Sequence, residues 1–171
     1  KRRFDVLAGN HKDRLGPDAL TSAHFMLESL FASQIANDLA SAKTQHREVE
    51  FAFRFPPSSA VSEQQRIIVG TMDLVYEDIQ GGWHILDYKT TNIAPETPDE
   101  ELLLPYELQL GIYAYALEQW CGTSPCEVSL ILLRPSMRCA TFRWSAEMRE
   151  RMHRRVVRIL DSFQQHTLKT P

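Results

Sequence analysis

The sequence predicts an α/β fold in which a mixed central β-sheet is flanked by helices. Segments with helical periodicity alternate with short β-rich runs in the order helix, three strands, helix, two strands, helix. The chain has 171 residues, of which 43% are hydrophobic and 24% charged, and this composition is typical of a globular domain with a sizeable core. We therefore expect one domain over residues 1–171, with an irregular lead-in at 1–16 and a core at 17–166.

Three segments repeat apolar residues at helical spacing, and each is predicted to be a helix. They run from Asp18 to Ala42, from Pro105 to Trp120, and from Ser145, a typical N-cap residue, to about Gln165.

Five runs are rich in β-branched and aromatic residues and predict strands. They are Glu48 to Phe55, Arg66 to Tyr76, Trp83 to Lys89, Val128 to Leu133 and Cys139 to Trp144. The second and third runs flank a polar link that contains Gly81 and Gly82, which is a hairpin signal.

The predicted hairpin carries Asp73 in its first strand and Asp87 and Lys89 in its second. Because side chains alternate along a strand, Asp87 and Lys89 share a face. Carboxylates are ligands for Mg²⁺ or Mn²⁺, and a lysine can stabilise the charge that develops on a phosphorane. The alternative is a surface hairpin with ordinary exposed charges. The apolar neighbours on both strands favour burial, and a buried carboxylate needs a partner.

Other residues are candidates for the same site. Gln109 and Tyr113 are four apart on a predicted helix, so they share a face and could orient a lysine or contact a phosphate. The alternative places Tyr113 in the core and Gln109 at its boundary. Glu48 is the first residue of the first predicted strand. It is either a further acidic group of the site or a solvated strand end. His24 is either a metal ligand or a partly buried, hydrogen-bonded residue.

Five arginines crowd the last predicted helix, where they would either bind phosphates or form a solvated face. They are Arg149, Arg151, Arg154, Arg155 and Arg158.

Composition excludes several classes of protein. The three cysteines, Cys121, Cys126 and Cys139, lack the paired spacing of a zinc site, and their odd number argues against a disulfide framework. We therefore expect no iron–sulfur cluster and a reducing compartment. We find no signal peptide, no membrane-spanning apolar run and no Gly-rich phosphate loop. The net charge of −3 neither requires nor excludes a nucleic-acid partner.

Taken in order, three motifs resemble the RecB-type nucleases of the PD-(D/E)XK superfamily. They are Gly70-x-x-Asp73, Asp87-Tyr88-Lys89-Thr90 and Gln109-x-x-x-Tyr113. Residues 47–51 are similar to the glutamate strand of that family, and residues 106–113 to its tyrosine helix. The resemblance covers about residues 25 to 145. It is strongest to the nuclease domain at the C-terminus of AddA-type helicase–nuclease subunits.

The resemblance implies a restriction-endonuclease-like core and an Mg²⁺- or Mn²⁺-dependent deoxyribonuclease, of exonuclease type. It implies that Asp73, Asp87 and the Tyr88 carbonyl are metal ligands, and that Lys89 stabilises the transition state or positions water. Gln109 and Tyr113 would support Lys89 and the DNA strand. Glu48 would be an auxiliary acid, and Gly70 would allow close backbone approach. The family's metal-ligating histidine is often preceded by a glycine in an early helix. Here it is His24, or it lies upstream of Lys1, or it is missing.

The resemblance also implies a biological setting. The domain would be part of a larger bacterial cytoplasmic helicase–nuclease that resects double-strand breaks in recombinational DNA repair. Its partners would be DNA, a helicase domain of the same chain and a second helicase–nuclease subunit, without a membrane. Two alternatives are a catalytically weak DNA-binding or scaffolding domain with the same fold, and a standalone RecB-like exonuclease.

Overall fold

A computed structural model describes residues 16–56 and 66–167. The predicted lead-in, apart from Gly16, and the polar loop before Arg66 lie outside these ranges. The described elements follow the order α1 (Pro17–Phe31), α2 (Gln34–Ser41), β1 (Thr44–Phe55), β2 (Arg66–Glu77), β3 (Trp83–Asn92), α3 (Asp99–Leu103), α4 (Glu107–Cys121), β4 (Glu127–Arg134), β5 (Arg138–Phe142) and α5 (Ala146–Thr167).

The five strands form one sheet in the order β1-β2-β3-β4-β5. β3 and β4 are parallel, and the other neighbouring strands are antiparallel. A parallel pair needs a long crossover connection, which α3 and α4 supply between β3 and β4. The mixed sheet with flanking helices that the sequence predicts is therefore confirmed.

The main hydrophobic core lies between the sheet and the helices α4 and α5. It contains fifteen buried residues, among them Phe55, Ile85, Leu110 and Met152. The two helices approach closely at Gly111, where an added Cβ would lie 2.7 Å from Met152 Cγ. On the opposite face a smaller cluster centred on Leu74, Tyr76, Leu86 and Ile131 packs against α1 and α2. No described residue of α1 or α2 is itself buried.

The predicted helix from Asp18 to Ala42 is interrupted, and this prediction was wrong in detail. The Ser33 hydroxyl donates to the Leu30 carbonyl at 2.6 Å and accepts from the Ala36 N–H at 3.4 Å. Ser33 therefore ends α1 and caps α2 with one side chain, because its hydroxyl competes with the helical backbone for hydrogen bonds.

Other boundaries differ from the predictions. Pro105, the predicted start of the second helix, lies in the turn before α4, and the short helix α3 precedes this turn. β1 begins at Thr44, earlier than predicted, because the polar residues before Glu48 pair with the end of β2. The predicted N-cap at Ser145 agrees with the structure, and α4 ends close to the predicted Trp120. Gly122 ends α4 at φ 71°, and the Ser145 hydroxyl accepts from the Met148 N–H at 3.1 Å.

The arginines of α5 pair mostly with glutamates. Arg149 pairs with Glu118, and Arg151 and Arg155 both pair with Glu107, so these contacts join α5 to α4. Arg154 pairs within α5, and the guanidinium of Arg158 donates to the Arg154 carbonyl. The structure thus favours the solvated, ion-paired face over the phosphate-binding alternative.

Cys121, Cys126 and Cys139 are free cysteines. Within residues 16–56 and 66–167, the structure contains no helix with the length and apolar character needed to cross a membrane.

Candidate metal centre and active site

The candidate site lies where the pairing of β2 with β3 ends. The paired positions run from Glu77 and Trp83 to Leu74 and Leu86, and the next positions along the two strands are Asp73 and Asp87. The Asp73 carboxylate oxygen Oδ2 accepts a hydrogen bond of 2.9 Å from the Tyr88 N–H. Just beyond the last paired residues of β2 and β3, the Asp73 side chain therefore accepts a hydrogen bond from the main chain of β3.

On its other side, Asp73 faces an irregular point in β1. Arg47 pairs with Leu74 and Val49 with Met72, so Glu48 lies opposite Asp73. Glu48 has φ 50°, which is uncommon for a residue other than glycine. Such backbone strain tends to occur at functional sites.

The face that β2 presents to the core changes at Asp73. Met72 packs in the main core, whereas Leu74 packs in the smaller cluster on the other face. Residues two apart in a regular strand share a face. Met72 and Leu74 do not, so the alternation of side chains between the two faces shifts by one residue between Met72 and Leu74. The shift leaves the Asp73 side chain at the boundary between the two faces.

Asp87 and Lys89 point to the same side, as the alternation predicts, and they form an ion pair. Asp87 is 1% exposed, and its Oδ2 lies 2.5 Å from Lys89 Nζ. The amide of Gln109 donates to Asp87 Oδ1 at 3.2 Å and to the Tyr113 hydroxyl at 2.6 Å. Helix α4 thus reaches the buried carboxylate through the two residues that the sequence predicts on one helix face.

Burial and neighbouring charge act in opposite directions on Asp87. Burial raises the pKa of Asp87, the hydrogen bond and charge of Lys89 lower it, and the charge of Asp73 raises it, with a net result above the ordinary value. Although Asp87 Oδ2 is close to the ammonium, it accepts no well-directed hydrogen bond from the described residues. A cation bound beside this oxygen would favour the ionised form.

Lys89 is a stable cation in this environment. Burial lowers its pKa, but the hydrogen bond and charge of Asp87 and the charge of Asp73 outweigh burial and leave the pKa raised. Its Nζ also lies 5.3 Å from the centroid of the Tyr106 ring, within the range of a cation–π contact. At neutral pH Lys89 can therefore supply positive charge, but it cannot act as a general base.

The residues present fit a hard divalent cation in part. Asp73 and Asp87 offer carboxylate oxygens, which Mg²⁺ and Mn²⁺ prefer. Across residues 16–56 and 66–167, however, no group of three or more His, Cys, Asp or Glu side chains is placed to hold a metal ion. Glu48 lines the same cleft as Asp73. His24 lies on α1, with its Nδ1 3.5 Å from Glu28 Oε2. Further ligands would have to be main-chain oxygens, waters or residues outside the described ranges.

Gly70 makes room for an aromatic ring. An added Cβ would lie 2.6 Å from Phe51 Cζ. The Phe51 ring lies across β2 at this position and meets the Tyr113 ring edge-on, with 5.9 Å between centroids. The close approach expected at Gly70 is therefore to a side chain of β1, which packs against a residue of the candidate site.

Sequence reasoning assigns no site role to Tyr106 or Arg47. Tyr106 belongs to the apolar stripe of its predicted helix, although its position three residues before Gln109 puts both on the same face. The sequence assigns Arg47 no role beyond its position next to Glu48. It lines the cleft that contains Asp73, and its charge lowers the pKa of Tyr88, although burial acts more strongly and raises it.

The chain is similar to known proteins in sequence and in fold. A family model of the PD-(D/E)XK nuclease superfamily matches residues 4–168. An ATP-dependent helicase/nuclease protein of the AddA type from Lysinibacillus sphaericus (strain C3-41) is 33% identical over 95 residues, which are 52% of this chain and 7% of that protein. The crystal structure of a candidate exonuclease from Eubacterium rectale matches with a TM-score of 0.52 and 11% identity, over 91% of this chain and 60% of that chain. The latter likeness concerns the fold alone.

Proposed function

Because the chain belongs to the PD-(D/E)XK nuclease superfamily, we propose that it is a deoxyribonuclease domain of exonuclease type. Nucleases of this superfamily generally use divalent metal ions. The observation that carries the proposal is the network in which Lys89 and Gln109 hold the buried Asp87 beside Asp73. A perturbed carboxylate at an interrupted strand pair is typical of a functional site.

In this proposal Asp73, Asp87 and the Tyr88 carbonyl hold Mg²⁺ or Mn²⁺. When bound, such an ion supplies an activated water and neutralises charge on the phosphodiester. The hydrogen bond between Asp73 and the Tyr88 N–H supports this assignment because it fixes the orientation of one carboxylate. The fixed carboxylate would then meet the cation without further reorganisation.

Lys89 would stabilise the negative charge that develops on the phosphorane. Its ammonium is held by Asp87 and by the Tyr106 ring, so its position is set before the substrate arrives. Gln109 would position Asp87, and Tyr113 would position Gln109, through the hydrogen bonds that connect them. Glu48 would be an auxiliary acid opposite Asp73.

A histidine ligand is a separate part of the proposal. His24 has Glu28 as a neighbour on its own helix, so we propose that it does not bind the ion. His11 lies two residues after Gly9. It is outside the described residues but within the range that the family model matches. Calorimetric titration with Mn²⁺ would separate the two, because His11→Ala should weaken binding and His24→Ala should not. Weaker Mn²⁺ binding by His24→Ala would reverse the assignment.

We further propose that the domain belongs to a bacterial cytoplasmic helicase–nuclease in break resection and recombinational repair. Support comes from the similarity to the Lysinibacillus helicase/nuclease protein, of which this chain matches only 7%. DNA, a helicase domain of the same chain and a second helicase–nuclease subunit would be the partners. The alternative is a catalytically weak DNA-binding domain, which the absence of a third metal-binding side chain among the described residues would favour.

A cleavage assay tests the nuclease proposal. The 171-residue chain is incubated with end-labelled linear DNA and with covalently closed circular DNA, in Mg²⁺, in Mn²⁺ or in EDTA. Metal-dependent shortening of linear DNA with intact circles is the expected result. Asp161→Asn, at an exposed position on α5, should cleave like wild type. Linear DNA left intact in both metals would overturn the proposal, and nicked circles would replace exonuclease with endonuclease action.

A further inference from the structure

A cleft of about 800 Å³ lies between the helices α1 and α2 and the sheet, and it adjoins the candidate metal centre. Its helical wall is apolar and includes Leu30, Phe31 and Leu39, whereas its sheet wall carries the polar residues Arg47, Glu48, Asp73 and Tyr88. A volume of this size is in the range of sites that bind organic ligands. Because Asp73 lines the cleft, an occupant would extend away from the candidate metal centre.

Arg47 is the feature of this cleft that points to an anion. It is exposed, and its guanidinium makes no ion pair or hydrogen bond with the part of the chain that the structure describes. In contrast, Arg149, Arg151 and Arg155 on α5 are each paired with a glutamate. A guanidinium has a donor geometry that matches a phosphate group, so an unpaired arginine beside a nuclease site is suited to a backbone phosphate.

Phe31 supplies a second, independent feature. Its ring lines the same cleft at the C-terminus of α1 and is 63% exposed. Proteins that bind single nucleic-acid strands combine basic groups along the backbone with aromatic rings on which bases stack. The apolar wall with Phe31 and the sheet wall with Arg47 reproduce this pairing across one cleft.

We propose that this cleft binds the nucleic-acid strand next to the scissile phosphate, with Arg47 on a backbone phosphate and Phe31 against a base. The inference rests on the proposed nuclease function and assigns two positioning residues to it. Glu48 and Asp73 in the same cleft would repel a phosphate, so strand binding through Arg47 should be stronger with a divalent cation than in EDTA.

Fluorescence anisotropy of a labelled single-stranded oligonucleotide tests the role of Arg47. All proteins carry Lys89→Ala, so that cleavage does not shorten the probe, and are measured in Mg²⁺. Arg47→Ala should raise Kd about tenfold or more, the scale of a lost hydrogen bond to a charged group. It should also reduce the slope of log Kd against log salt by about 0.7. Arg47→Lys should restore the slope, because it restores the charge.

Arg154→Ala is the matched control, because Arg154 is an exposed arginine on α5 that pairs with Glu150 on its own helix. It should change neither Kd nor the salt slope. Phe31→Ala should raise Kd about fivefold or more and remove the fluorescence quenching of a 2-aminopurine base in the strand, whereas Phe31→Tyr should retain both. Both wild-type positions are exposed, so melting temperatures should stay unchanged.

The cleavage assay on the wild-type chain separates the two proposals. Suppose that the wild-type chain cleaves DNA, but that Arg47→Ala and Phe31→Ala bind the strand as tightly as the Lys89→Ala protein that lacks them. The cleft proposal is then overturned and the nuclease proposal stands. If the wild-type chain neither cleaves nor binds the strand, both are overturned. The combined proposal requires cleavage by wild type together with weaker strand binding by both variants.

Discussion

The β2–β3 hairpin holds an aspartate next to a basic side chain at each end, and the two ends differ in how the carboxylate is satisfied. At the turn, Asp78 accepts hydrogen bonds from the N–H groups of Gln80 and Gly82, and its second oxygen lies 2.8 Å from His84 Nε2. At the open end, Asp87 is buried, and one of its oxygens accepts no well-directed hydrogen bond from the described residues.

The pKa values of the two carboxylates shift in opposite directions. The hydrogen bond with His84, followed by that from the Gly82 N–H, lowers the pKa of Asp78 to about 2. Burial, with only partial compensation by Lys89, raises the pKa of Asp87. The fold therefore satisfies Asp78 with main-chain donors and His84, whereas the buried Asp87 depends on its ion pair with Lys89 and on the Gln109 amide. The local environment, and not the residue type, therefore sets the pKa values of the two carboxylates apart.

The largest expected effect is the loss of cleavage in Asp87→Ala. Removing this carboxylate removes a proposed metal ligand, so Mg²⁺-dependent cleavage of labelled DNA should disappear. In EDTA the variant should stay folded, because the removal of a buried charge that Asp73 repels offsets the loss of the ion pair with Lys89. Asp78→Ala is the matched variant at the other end of the hairpin, and it should cleave at the wild-type rate. Equal loss of cleavage in both variants would contradict the assignment of Asp87.

Lys89→Ala should give the next largest effect, a reduction of about a hundredfold or more in the single-turnover rate. The affinity for DNA should change little, because a group that acts on transition-state charge alters turnover more than binding. Rate and affinity are measured separately by single-turnover cleavage and by anisotropy. A variant with weak binding but a normal saturated rate would make Lys89 a phosphate clamp. Lys43→Ala, next to Glu77 near the turn, is the control.

A smaller effect is expected on stability from Asp78→Asn. This change weakens the carboxylate's hydrogen bonds to the turn and its contact with His84, so the melting temperature at pH 7 should fall while cleavage stays normal. The measurement is calorimetry of the variant beside the wild-type chain. Asp99→Asn, an exposed acid on α3 that pairs with Arg138, provides a comparison away from the hairpin. A melting temperature equal to that of wild type would show that the turn does not depend on this carboxylate.

The smallest expected effect is the pH dependence of that stability difference. The folded pKa of Asp78, about 2, lies below its ordinary value of 3.8, so its ionised form stabilises the folded state above that value. This contribution is lost as the pH falls from about 4 towards 2. The difference in melting temperature between wild type and Asp78→Asn should therefore shrink over this interval. A constant difference would assign the stabilisation to something other than ionised Asp78.

The sequence predicted the sheet, the hairpin and the shared face of Asp87 and Lys89 because these depend on local rules. Alternation along β3 places the two side chains together, and the spacing of Gln109 and Tyr113 puts both on one helix face. The order of helices and strands was similarly readable from hydrophobic periodicity.

The remaining features depend on contacts between distant segments. The change of face at Asp73 lies opposite Glu48, whose φ of 50° is not indicated by the hydrophobic periodicity of either strand. The contact of Tyr106 with Lys89 requires α4 to pack over β3. The turn network depends instead on local sequence, since an aspartate can accept hydrogen bonds from main-chain N–H groups of its own turn, as Asp78 does from Gly82.

Anomalous diffraction from crystals grown with Mn²⁺ would show whether the open end of the hairpin is a metal centre. The account predicts a Mn²⁺ ion bound by both Asp73 and Asp87, at about 2.0–2.6 Å from their carboxylate oxygens, the range for hard cations. The site should be empty in crystals of Asp87→Ala. Crystals with no Mn²⁺ between Asp73 and Asp87, or with the ion bound at Asp78 instead, would contradict this assignment.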